Sequence, residues 1–219
     1  MIWAIMLAIA VPTKGNPHGP NLMVKPDNDR DYANLVAFAS CLITKYPDRA
    51  RRYLESFPFV GDQNKLVNEA IPTQCLKSGT LRVSPVQLRG AIAREFLLRE
   101  YPQPISSFVQ AKSIELGDTI SADDPELKGN FVSLYKTAEC VARDAPNEVD
   151  TLVRKSHSDE REVQAYRQLL PVWSSCKPRD FFVNPTIYSL KAVESEMLYR
   201  LLKASDGHLT ISNADHNHA

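Results

Sequence analysis

The sequence is poor in the patterns that nucleotide-dependent enzymes and the commonest hydrolases need. Its 219 residues include eight scattered glycines, and neither a G-x-G-x-x-G nor a G-x-x-x-x-G-K-[ST] phosphate-binding loop can be assembled from them. The H-E-x-x-H metalloprotease and G-x-S-x-G hydrolase signatures are also missing. These absences argue against both classes of enzyme, and the sequence predicts no cofactor.

An excess of charge of either sign is missing too. Lys and Arg together number 26, as do Asp and Glu, so the formal net charge is zero. Neutralising phosphates supplies much of the affinity of nucleic-acid-binding proteins, which are therefore usually basic. We accordingly expect no nucleic-acid partner. The 43% hydrophobic content is that of a globular protein with a real core.

An apolar run of membrane-spanning length is absent from the start of the chain. Residues 2–11 are unbroken apolar, about half of the roughly 20 residues that a transmembrane helix requires. The run resembles the apolar region of a secretory signal, with Ala8-Ile9-Ala10 as a cleavage site, although no Lys or Arg precedes it. A buried N-terminal strand or helix is the alternative. We expect residues 1–11 to be signal-like, residues 12–29 to form a flexible leader, and the mature chain to have no membrane span.

The second half of the chain repeats the cysteine and proline pattern of the first. An offset of 99 places Cys41 on Cys140 and Pro47 on Pro146, and an offset of 101 places Cys75 on Cys176. This ordered match predicts a tandem duplication. The units span residues 30–101 and 129–203, with a connector at 102–128 and a polar tail at 204–219.

Both units are predicted to be helical. Each opens with one apolar stripe at helical spacing: Leu35, Phe38, Ala39 and Leu42 in the first, and Phe131, Leu134, Ala138 and Val141 in the second. Pro47 and Pro146 should end these helices, because proline restricts the residue before it and lacks an N–H. Ser84-Pro85 and Asn184-Pro185 predict the starts of the last helices.

The predicted class is all-α. A helical unit of about seventy residues has a marginal core by itself. We therefore expect the two units to pack as one pseudo-symmetric body.

The cysteines are predicted to form one disulfide in each unit. Their separations are 34 and 36 residues, and an even count with a repeated spacing in an exported chain indicates a disulfide framework. Four cysteines allow three pairings. Duplication favours Cys41–Cys75 and Cys140–Cys176, since a single ancestral unit contains only its own pair. Each bond would contribute about 3–4 kcal/mol by restricting the unfolded chain.

Two sets of residues are candidates for chemistry. Glu95 and Glu196 occupy matching positions, and two carboxylates can act as an acid–base pair in glycoside hydrolysis. The alternative is that each forms a helix-surface ion pair with the arginine four residues later, Arg99 or Arg200. The tail histidines, His208, His216 and His218, are candidates for weak metal binding, and the alternative for them is a disordered polar tail.

The pattern FASCLITKYPDRARRYL, followed by Cys75 and by LRVSPVQLRGAIAREFLLR, resembles uncharacterised exported proteins of α-proteobacteria. The second unit keeps the cysteines, the proline and Glu196, but has Ser189-Leu190-Lys191 in place of Leu88-Arg89-Gly90. The resemblance implies bacterial export and duplication, and it implies no activity.

The sequence therefore predicts an exported, periplasmic or extracellular helical protein that serves as a non-catalytic binding or structural module of the bacterial envelope. Its partner would be an unidentified protein or envelope component. The alternative is an envelope hydrolase that uses Glu95 and Glu196.

Overall fold

A computed structural model describes seven stretches of the chain: residues 29–55, 73–76, 83–105, 112–114, 125–156, 159–181 and 185–214. The signal-like segment and nearly all of the leader lie outside these residues. So does most of the connector.

The described part of the chain is all-helical, as predicted, and contains no strand. Its seven α-helices, with one 3₁₀ turn at Thr73–Cys75, are α1 (Asp29–Lys45), α2 (Pro47–Glu55), α3 (Pro85–Glu100), α4 (Pro125–Asp144), α5 (Pro146–Arg154), α6 (Glu160–Cys176) and α7 (Ile187–Ala214).

The predicted disulfide pairing is confirmed. Cys41 in α1 bonds to Cys75 in the 3₁₀ turn, with a Cα–Cα distance of 5.7 Å. Cys140 in α4 bonds to Cys176 at the end of α6, with a Cα–Cα distance of 5.8 Å. Each bond thus ties the first helix of a predicted unit to a segment about 35 residues later.

The two proline junctions have matching backbone bonds. Tyr46, between α1 and α2, donates its N–H to Leu42 O at 2.7 Å and accepts from Ala50 N at 3.1 Å. Ala145, between α4 and α5, does the same with Val141 O at 2.9 Å and Val149 N at 3.0 Å. One residue therefore ends each first helix and begins the next, and the proline follows it as the first residue of the new helix.

Helices α3 and α7 form the centre of the molecule. They pack along each other, α1 and α2 pack on α3, and α4, α5 and α6 pack on α7. Every residue of α7 from Tyr188 to Tyr199 is buried. A helix that is enclosed on all sides in this way belongs to the core, whereas α1 and α4 have one buried stripe and one exposed face.

Gly90 sets how closely the two central helices approach. A Cβ atom at this position would lie 2.3 Å from the carbonyl oxygen of Ala192 and 2.4 Å from its Cα. These are backbone atoms, so no side chain can rotate away to make room. The helices can cross here only because residue 90 has no side chain.

The predicted helix ends are correct in one unit and shifted in the other. Ser84 caps α3: its Oγ accepts from Gln87 N at 3.2 Å, and Gln87 Oε1 accepts from Ser84 N at 3.1 Å. In the second unit α7 begins only at Ile187, because Thr186 takes the capping role and its Oγ1 accepts from Ser189 N at 3.3 Å. Asn184 lies outside the described residues.

Two predicted unit boundaries also differ from the helices. Helix α4 begins at Pro125, before the predicted start at 129, and α7 continues to Ala214, beyond the predicted end at 203. Among the helices of the described stretches, none combines the length and the hydropathy needed to cross a bilayer.

Replacing Gly90 with alanine should destabilise the protein by roughly 1–3 kcal/mol, because the new methyl group overpacks the crossing of α3 and α7. Gly129 in α4 is a matched control, since a Cβ there meets nothing within 4 Å. Gly129→Ala should instead stabilise by about 0.5–1 kcal/mol through helix propensity. Chemical denaturation of both variants measures the difference, and a gain in stability for Gly90→Ala would contradict the close crossing.

Candidate functional site

Ionic side chains lie inside the core, on the two central helices. Arg89 in α3 and Lys191, Glu194 and Glu196 in α7 are each 1% exposed or less. Burying a charge is costly unless it is paired or neutralised. Each of these four groups therefore needs a partner or a shifted pKa, and their surroundings form the candidate site.

The Glu196 carboxylate is bound by three side chains. Arg89 Nε donates to its two oxygens at 3.1 and 3.0 Å, and Arg89 Nη2 donates at 2.8 Å. Arg200, one turn later in α7, donates from Nε at 2.9 Å and from Nη2 at 2.8 Å. The Tyr135 hydroxyl of α4 donates at 2.7 Å. We call these four residues the Glu196 cluster.

The Glu196 cluster also caps helix α2. Arg89 donates to Tyr53 O at 2.7 Å and to Leu54 O at 2.9 Å. Arg200 donates to Leu54 O at 2.6 Å. The last carbonyls of a helix have no partner within the helix and carry partial negative charge, so cations are favourable there.

The Glu196 cluster keeps its carboxylate ionised. Burial would raise the pKa of Glu196, but the charges of Arg89 and Arg200 outweigh it, and hydrogen bonds from Arg89 and Tyr135 add to them. The net effect lowers the pKa to about 2. A carboxylate held in this way cannot deliver a proton near neutral pH.

A second group of cations caps helix α5. Lys191 of α7 donates to Lys155 O at 2.6 Å and forms an ion pair with Glu162 of α6 at 2.5 Å. Arg94 of α3 donates to Val153 O at 2.7 Å. Burial lowers the pKa of Lys191 to about 8, although Glu162 opposes the shift.

The ends of α2 and α5 are thus capped in the same manner. Each receives one cation from α3 and one from α7. The predicted repeat assigns α2 and α3 to the first unit and α5 and α7 to the second. Arg200 and Arg94 therefore cross from one predicted unit to the other, so the capping bonds join the two.

A small cavity lies where α1, α3 and α7 meet, next to Arg94 and Lys191. Its volume is about 10 Å³, and its lining includes residues of α1, α3 and α7, among them Tyr32, Gly90 and Ala192. Such a volume is the minimum for a single water molecule. It leaves no room for an organic substrate.

Glu194 is unlike the other buried ions. It is 0% exposed, and neither carboxylate oxygen has a hydrogen-bond partner among the described residues. Burial raises its pKa well above the usual value for glutamate. Burial therefore favours the neutral form of the Glu194 carboxyl group.

The structure gives the predicted carboxylate pair very different surroundings. Glu196 is enclosed by the cluster described above. The Glu95 side chain is 13% exposed and contacts Arg94 at 3.2 Å. Arg99 extends to Thr44 in α1, where its Nη2 donates to the hydroxyl at 3.0 Å. The expected i,i+4 ion pair does form between Glu196 and Arg200, but in the core rather than on the surface.

The histidine candidates of the tail cannot be placed as a site. The backbone of His208 belongs to α7. Its side chain, and all of His216 and His218, lie outside the described residues.

Sequence reasoning did not identify Arg89, Lys191 and Glu194 as buried ions. One signal was available, because each of these residues directly follows an apolar residue of α3 or α7. This pattern alone does not show whether a helix is enclosed on all sides or has a solvent-exposed face.

Comparison of the chain with family models, with curated proteins and with solved structures finds no match. The resemblance to exported α-proteobacterial proteins thus stays a prediction.

Replacing Glu196 with glutamine should destabilise the protein by about 3–5 kcal/mol near neutral pH, because it leaves the Arg89 charge buried without its counter-ion. Glu160→Gln, at an exposed position of α6, is the control and should change stability by less than about 0.5 kcal/mol. The folded pKa of Glu196 lies below its unfolded value. Its contribution should therefore be present above pH 4.5 and be lost as the pH falls towards 2. Urea denaturation at several pH values tests this, and a flat difference between wild type and variant would contradict it.

Replacing Glu194 with glutamine should have the opposite pH dependence. The folded pKa of Glu194 lies above the unfolded value, so the wild-type residue favours folding most at low pH and loses that contribution as the pH rises. Relative to wild type, Glu194→Gln should gain stability between pH 4 and pH 8. Denaturation midpoints across this range measure the trend, and a relative loss for the variant would show that the carboxyl group is ionised in the folded protein.

Proposed function

We propose that this protein is an exported, non-catalytic binding or structural module of the bacterial envelope, stapled by two disulfides. The observation that carries the proposal is what the cationic side chains of α3 and α7 bind. Arg89, Arg200, Arg94 and Lys191 all donate to carbonyls at the ends of α2 and α5. Groups that hold helix ends in this way are not available to a substrate.

The two disulfides support export. Such bonds form and persist in oxidising compartments and are rare in the cytosol. The described part of the chain contains no free cysteine, which agrees with a protein matured outside a reducing compartment. The apolar run at residues 2–11 supplies the independent argument for a signal.

The hydrolase alternative finds no support in the surroundings of its carboxylates. A general acid must hold its proton near the working pH, so Glu196, whose pKa is lowered to about 2, could serve only as the ionised partner of the pair. A glycoside also needs access to both carboxylates, and the Glu196 side chain is 1% exposed. The alternative stays a prediction, and the burial of Glu196 counts against it.

Peptide mass mapping of the protein, purified from its native host without reductant, tests the proposal. We expect a mature N-terminus near Val11 and peptides joined through Cys41–Cys75 and Cys140–Cys176. Cross-linking in intact cells before purification should then capture an envelope component. A retained Met1 together with four free thiols would overturn export, and with it the proposed envelope role.

A further inference from the structure

Among the residues that the structure describes, the second disulfide has an acidic neighbour and the first has none. Asp144, at the end of α4, places its Oδ2 atom 3.8 Å from Cys140 Sγ and 3.7 Å from Cys176 Sγ. Disulfide sulfurs carry no proton, so these contacts are not hydrogen bonds. A carboxylate at a helix C-terminus also lies at the negative end of the helix dipole, where a cation is favoured instead.

The two sulfur–oxygen distances match the spacing of ligands in a metal site. Tetrahedral zinc holds sulfur at about 2.3 Å and carboxylate oxygen at about 2.0–2.2 Å, which places a sulfur and an oxygen ligand about 3.6 Å apart. Both sulfur–oxygen distances to Asp144 already agree with this value. The Cα atoms of the two cysteines are 5.8 Å apart. The two thiols formed by reduction therefore lie close enough to bind one cation.

We propose that reduction of the Cys140–Cys176 disulfide creates a binding site for a thiophilic divalent cation such as Zn²⁺, with Cys140, Cys176 and Asp144 as ligands. A dithiol reductant supplies two electrons and two protons; the sulfur–sulfur bond becomes two thiols, and the reductant becomes a disulfide. The cation then replaces both thiol protons, which are released. Re-oxidation by a disulfide reagent reverses the sequence and expels the cation.

Exposure suits this role. Asp144 is exposed, and both cysteines are partly exposed, so the cation can enter from solvent. Three protein ligands leave a fourth tetrahedral position for water, as in open zinc sites. Two thiolates and one carboxylate also bring together the negative charge that a divalent cation compensates.

The first unit provides an internal control. Its disulfide has nearly the same geometry, with 5.7 Å between the Cα atoms of Cys41 and Cys75. Lys45 stands four residues after Cys41, where the second unit has Asp144 four residues after Cys140. An ammonium group repels a cation and offers no lone pair. Reduction of the first disulfide should therefore create no comparable site.

Titration of the reduced full-length chain with Zn²⁺ against a chromophoric chelator tests the proposal, with a phosphine as reductant. Co²⁺ serves as a second probe, because its thiolate charge-transfer absorption reports sulfur ligands directly. We expect one equivalent bound by the reduced chain and none by the oxidised chain. Asp144→Asn should weaken binding at least about tenfold, whereas Cys41→Ser with Cys75→Ser should leave it unchanged. Lys45→Asp should add a second, weaker equivalent.

The remaining outcomes also decide the matter. Binding that survives Cys140→Ser but is lost when His208, His216 and His218 become alanine would assign the cation to the tail and overturn the proposal. Equal affinity in Asp144→Asn would overturn it too. If reduction unfolds the chain, Zn²⁺ should restore helical circular dichroism in the wild type but not in Asp144→Asn, and failure to do so counts against the site. None of these readouts depends on where the protein resides.

Discussion

The close crossing of α3 and α7 is the constraint on which the rest of the structure depends. Gly90 allows the two backbones to meet at Ala192, where any Cβ would collide with main-chain atoms. The helices packed around this crossing bury α7 on every side from Tyr188 to Tyr199. Water cannot reach an ionic side chain there, so each one must find its partner within the protein or give up its charge.

The charged side chains of α3 and α7 are accommodated in two ways. The carbonyls at the ends of α2 and α5 have no partner within their own helix. They accept hydrogen bonds from Arg89, Arg200, Arg94 and Lys191. For Glu194, burial raises the pKa and so favours the neutral form. Buried ion pairs contribute little net stability compared with apolar side chains of similar volume, yet they are costly to break. Here the ionic contacts hold the ends of α2 and α5 against α3 and α7. The disulfides act differently, mainly by restricting the unfolded chain.

The two predicted units agree in their junctions and differ in their polar groups. The proline junctions have the same backbone bonds, and both disulfides have nearly the same geometry. The helix caps, in contrast, come from positions that do not correspond: the offset of 101 pairs Arg89 with Leu190 and Lys191 with Gly90. Asp144 likewise aligns with Lys45 at the offset of 99. The two predicted units thus share a framework of junctions and disulfides, while each has its own ionic contacts and, as we propose, its own chemistry.

The sequence by itself determined the features that depend on local physics. Apolar periodicity predicted helices, proline placed the junctions, Ser84-Pro85 marked the start of α3, and the repeated cysteine spacing selected the disulfides. Tertiary structure alone decided which charged residues are buried and which partners they have. Glu95 and Glu196 each precede an arginine by four positions, yet one contacts a neighbouring arginine near the surface and the other is enclosed in the core. The difference lies in which helices cover them, because the partners of Glu196, Arg89 and Tyr135, are 107 and 61 residues away in the chain.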